Sequence, residues 1–82
     1  MSKPKPVKRI CMTVRGHQVV IEIFRAQPRG FRGSWSCLDL PCFGASGVVD
    51  TDIDNVIAVN EGNAFADLGN YLESDEREQP SA

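Results

Sequence analysis

The chain has 82 residues, 41% apolar and 24% charged, with a formal net charge of −2. That is enough for one domain with a modest core, and the balance excludes a disordered chain of low hydropathy and high net charge. No apolar run approaches the ~20 residues needed to span a bilayer, so no membrane partner is expected.

Residues 1–6, Met-Ser-Lys-Pro-Lys-Pro, read as a flexible basic tail, because two prolines and two lysines can neither join a ladder nor bury a face. No apolar signal region follows, and the expected location is cytoplasmic. A β-hairpin comes next, with 9–15 and 18–25 as its arms. Gly16-His17 between them suits a two-residue type II′ turn. That loop sets Val14 opposite Val19, Met12 opposite Ile21 and Ile10 opposite Ile23, giving one apolar face for a covered sheet.

Residues 26–33 read as a loop loosened by Gly30 and Gly33 and kept from pairing by Pro28. Ser34 to Leu40 reads as a third strand around Trp35, ended by Pro41, and a short fourth strand is expected near Val48-Val49. Thr51-x-x-Asp54 then resembles a capping box, and Asp52 and Asp54 suit the positive end of a helix dipole. At 100° per residue, Ile53, Ile57, Ala64, Phe65, Leu68, Tyr71 and Leu72 share a face that would cover the hairpin. The helix is expected over about 52–74, and 75–82 as a flexible acidic tail. The fold class is therefore α+β: a small antiparallel sheet of three to four strands packed against one long C-terminal helix, with 7–74 as the domain.

Charge is divided sharply along this plan. Residues 1–33 carry eight Lys and Arg against the acid Glu22, and residues 34–82 carry ten Asp and Glu against Arg77. Either the two halves attract each other within the fold, or they form two surfaces for two kinds of partner.

Chemistry is sparse. Cys11, Cys37 and Cys42 are an odd set without a secretion signal and read as reduced thiols. With His17 they lack any Cys-x-x-Cys pair, so no metal site is expected. Cys37 or Cys42 could be drawn with His17 as nucleophile and base, but no spacing supports it, and no catalytic residue is assigned. Phosphate-binding glycine motifs are absent, and no cofactor is expected.

Three surfaces remain. The acids Asp52, Asp54, Glu61, Asp67 and Glu73 would present carboxylates to a basic protein partner. Glu61 falls between Ile57 and Phe65, in the middle of the apolar face, where an unpaired carboxylate is costly. Ala58, Gly62, Ala66 and Gly69 form a stripe of small residues. Glycine inside a helix costs about 1 kcal/mol relative to alanine, so the stripe suggests a close neighbour, with a homodimer as the expected form. Arg25, Arg29 and Arg32, with Phe31 to stack on a base, are the nucleic-acid alternative, disfavoured by the acidic half.

A further pattern runs through Gly33-Ser34-Trp35-Ser36-Cys37-Leu38-Asp39-Leu40-Pro41-Cys42, Ala45-Ser46-Gly47, Asn60 to Asn63, and Tyr71-Leu72-Glu73. It resembles the core of HicB-type antitoxins, over about residues 30–73. The family glycine is missing at Pro41-Cys42, the run before the helix is longer, and the DNA-binding segment that often follows is absent. The resemblance implies a partial ferredoxin-like sheet and a role in masking a basic, RNA-cleaving partner. The expected function is a small non-enzymatic, acidic inhibitor or antitoxin-like regulator of a nucleic-acid-handling protein, of the kind carried by phages and mobile elements.

Overall fold

The computed structural model describes the backbone of residues 5–78 and the side chains of residues 5–73. Most of the expected N-terminal tail, and the end of the C-terminal one, lie outside the described residues. Four antiparallel strands, β1 (Lys8–Val14), β2 (His17–Arg25), β3 (Phe31–Cys37) and β4 (Phe43–Ala45), lie in sequence order, and one helix, α1 (Ile53–Glu78), packs across them. This is the expected α+β fold. No helix among the described residues is long and apolar enough to cross a membrane.

The hairpin forms with a different turn. Val14 pairs with His17, Met12 with Val19 and Ile10 with Ile21, so the loop is Arg15-Gly16 rather than Gly16-His17. Both loop residues have positive φ, 51° and 82°, which is a type I′ geometry. The shift moves each partner by two positions. Because side chains alternate with period two, the apolar face survives it intact. The other face gains a cross-strand pair, Arg9 with Glu22, separated by 3.9 Å.

The loop after β2 is shorter than expected. Ala26 N–H donates to Gly30 O at 3.0 Å and closes it, and the Gln27–Pro28 peptide within it is cis. Phe31, Arg32 and Gly33 therefore belong to β3, with Phe31 opposite Arg25. The fourth strand is Phe43–Ala45, paired with Ser34–Ser36; Val48 and Val49 are instead exposed, beyond the ladder.

Asp52 caps α1, not Thr51. Its carbonyl accepts the Val56 N–H and its carboxylate accepts the Asp54 N–H at 3.0 Å. Asp50 supports this turn by accepting the Asp52 N–H at 2.8 Å and an amide hydrogen of Asn55 at 3.3 Å. The helix runs to Glu78, past the expected end at 74.

The core joins Val14, Val19, Ile21, Ile23 and Trp35 of the sheet to Val56, Ala64 and Leu68 of α1. Fully burying one Ile or Leu contributes about 1.5–3 kcal/mol, so these residues dominate the stability. The buried helical row is Val56–Asn60–Ala64–Leu68, with Ile53, Ile57, Tyr71 and Leu72 half-buried beside it. It is rotated from the expected stripe, which leaves Phe65 53% exposed and Glu61 in solvent.

Asn60 is the polar member of that row. Its amide donates to Val56 O at 2.8 Å and to Ser46 Oγ at 3.2 Å, while Ser46 Oγ donates to Gly33 O at 3.3 Å. Gly33 lets the helix approach. A Cβ there would lie 2.5 Å from Asn60 Nδ2 and 2.9 Å from Val56 Cγ1.

Candidate functional site

The type I′ turn aims Arg15 at the helix. Its Nε–H donates to Phe65 O at 2.7 Å, and its guanidinium carbon lies 3.8 Å from the centre of the Phe65 ring, a cation–π contact. The guanidinium also fills the space where Gly69 has no side chain, since a Cβ there would meet Nη2 at 2.7 Å. Gly69 thus has the close neighbour its sequence position suggested, but that neighbour is the chain's own hairpin. The rest of the stripe, Ala58, Gly62 and Ala66, is exposed, and a Cβ on Gly62 would meet nothing within 4 Å.

Between hairpin tip and helix runs an open groove of about 470 Å³, lined by Thr13, Val14, Arg15, Ala58, Glu61, Gly62 and Phe65. Asp54 lies about 20° from Glu61 around the helix, so both edge this flank. Asp67 and Glu73 lie roughly 140° and 100° from Asp54 and look elsewhere. Asp52 is occupied as the cap. The five predicted acids therefore do not form one surface. Asp54 and Glu61 do, with Phe65 as an aromatic neighbour that the sequence pattern had assigned to the core.

The cations gather at the opposite end of the hairpin, where β1 begins, β2 ends and β3 begins. Arg25 and Arg32 line a shallow pocket of about 330 Å³ with Ala26, Gln27 and Val49, and Arg29 is exposed in the loop between them. Among the described residues none of these three arginines makes an ion pair. Phe31 is half-buried and packed against the core, so it does not stand free beside them to stack on a base.

A second cluster forms where β3 leaves the sheet. His17 opens β2, Cys37 closes β3, and Asp39 follows in the corner. His17 Nδ1 is 2.7 Å from Asp39 Oδ2, and the Cys37 thiol donates to Asp39 Oδ1 at 3.1 Å. The imidazole hydrogen bond, then the thiol, holds the Asp39 carboxyl below its ordinary range. Cys42 lies close by, with its backbone carbonyl accepting the Cys37 N–H at 2.9 Å. Burial, then the neighbouring Cys37 and Asp67, pushes its thiol pKa up. The carboxylate stands between thiol and imidazole, whereas a nucleophile relay places the imidazole between the other two. Sequence spacing among Cys and His alone passed over Asp39, which ties the cluster together.

No protein-family model matches the chain, and no curated protein or solved structure matches it significantly.

Proposed function

We propose that this protein is a non-enzymatic binding module that takes a basic segment of a nucleic-acid-handling protein against the Asp54–Glu61–Phe65 flank of α1, as a small inhibitor or antitoxin-like regulator would. The observation that carries the reading is the separation of charge after folding. Glu73 aside, the ion pairs among the described residues are Arg9–Glu22 and His17–Asp39, and neither joins an N-terminal cation to a helical carboxylate. Arg15, the cation that does reach the helix, binds it through Phe65 rather than through a carboxylate, so Asp54 and Glu61 remain available to an outside cation. Phe65 beside them supplies the exposed aromatic surface on which binding energy concentrates. Ala58 and Gly62 let a partner backbone come close.

The same flank serves a second copy of the chain less well. A two-fold axis brings identical patches together, and one passing near Gly62 sets Glu61 against its own copy. Like charges at that contact oppose the dimer and favour a basic partner. Arg25, Arg29 and Arg32, without an ion pair among the described residues, favour a second reading, nucleic-acid binding, in which phosphates would take the arginine end.

The test is capture from nuclease-treated lysate with wild-type protein and with Asp54→Lys/Glu61→Lys. A basic protein retained by the wild type and lost by the double variant is expected. Retention unchanged by charge reversal, or retention that depends on nucleic acid, overturns the reading.

A further inference from the structure

We infer that His17, Cys37 and Asp39 form a binding site for one divalent late first-row metal ion, with Zn²⁺ the natural occupant. One ligand atom from each residue lies within 4.8 Å of those of the other two. Three separate points of the fold supply them, the first residue of β2, the last of β3 and the corner beyond; the register sets Cys37 opposite Val19, two residues from His17, and the Leu38 N–H donates to Gln18 O at 3.0 Å beside Asp39. Cys11 belongs to no such cluster. It alternates with Ile10 and Met12 on β1, and Met12 packs on the core, so Cys11 projects from the opposite face of the sheet.

The donor set selects the ion. One sulfur, one imidazole nitrogen and one carboxylate oxygen suit borderline-soft Zn²⁺ rather than Mg²⁺ or Ca²⁺, which take oxygen ligands. Zinc bond lengths in tetrahedral geometry put neighbouring ligand atoms roughly 3.4–3.6 Å apart. The 2.7 and 3.1 Å hydrogen bonds fall on different oxygens of the Asp39 carboxylate, and the three ligand atoms lie within 4.8 Å of one another, so a turn of that carboxylate and a small convergence of the sulfur and nitrogen bring them to this spacing. The side chain of Asp39 is 56% exposed and that of His17 24%, so solvent reaches the site and the carboxylate has room to turn. On binding, the Cys37 S–H bond breaks, its proton passes to solvent and the thiolate sulfur bonds the metal. The imidazole binds neutral and the carboxylate ionised. Three protein ligands leave the fourth tetrahedral position to water or to an outside donor.

Cobalt(II) is the probe, because thiolate coordination gives it a charge-transfer absorption that nitrogen and oxygen ligands do not. The full chain, reduced with a phosphine and freed of metal, is titrated with Co²⁺ and then with Zn²⁺. The site predicts a 1:1 thiolate band displaced by Zn²⁺, abolished by Cys37→Ser and unchanged by Cys11→Ser or Cys42→Ser. His17→Gln and Asp39→Asn should each weaken binding about tenfold or more. Both lie outside the core, and amide chemical shifts on zinc addition give a second readout, confined to residues around 17 and 37–39. Absence of a stoichiometric band, its survival in Cys37→Ser, or indifference to both His17→Gln and Asp39→Asn overturns the inference.

Discussion

Replacing Gly33 with alanine tests how the helix is seated. A Cβ at this position meets Asn60 Nδ2 at 2.5 Å, Val56 Cγ1 at 2.9 Å and Ile23 Cδ1 at 3.0 Å. All three residues are fully buried, so none can swing into solvent. Adding a carbon to a well-packed core costs about 1–3 kcal/mol. Asn60 can relieve the contact only by giving up a bond to Val56 O or Ser46 Oγ, about another 1 kcal/mol. Lower entropy of the unfolded chain returns roughly 0.5–1 kcal/mol. The expected net is a loss of about 2 kcal/mol, or roughly 8–16 °C in Tm for a domain of this size. Gly62→Ala is the matched control. Its Cβ meets nothing within 4 Å, so helix propensity alone should stabilise by about 1 kcal/mol. Urea unfolding of both variants, with unchanged m-values, should show midpoints moving in opposite directions. A Gly33→Ala protein as stable as wild type would refute the packing described.

Arg15→Ala removes the ring contact and the bond to Phe65 O and should destabilise by about 1–2 kcal/mol in the same assay. Arg15→Gly should lose about 1 kcal/mol less, because glycine accepts the positive φ without strain. Titration with single-stranded RNA at physiological salt should show little binding. Tight binding with a steep salt dependence, lost in Arg29→Ala/Arg32→Ala, would instead support the arginine end as the functional surface. Sedimentation over a range of concentrations should show a monomer, and Gly62→Leu should leave it one. A dimer broken by that substitution would restore the small-residue stripe as a self-association surface.

The division into strands and helix was legible because alternation and 3.6-residue periodicity survive small errors of register. The hairpin shows this well. Its apolar face was readable although its turn was misplaced, since a two-position shift preserves the face. What the local pattern lacked was a reason for Arg15 to take a positive φ, and that reason is a contact fifty residues away at Phe65. The helical face was misjudged for a related cause. Asn60 is polar and falls outside the apolar pattern, but Ser46 Oγ and the Val56 carbonyl accept its amide hydrogens inside the core, which goes with Val56 turned in and Phe65 out. Gly69 was read as a sign of another chain, while its neighbour is the same Arg15. Asp39 was hidden because its partners lie on two different strands, a proximity that no spacing rule contains.

The most direct test of the binding surface is site-specific photo-cross-linking in the cell. A photoreactive residue is placed at Gly62 in the groove, at Cys11 on the outer sheet face, or at Arg29 at the cationic end. The Asp54–Glu61–Phe65 flank predicts a cross-link from position 62 to a basic segment of one protein, resistant to nuclease and lost with Asp54→Lys/Glu61→Lys, and none from position 11. No adduct at position 62, together with nucleic acid cross-linked at position 29, would contradict it.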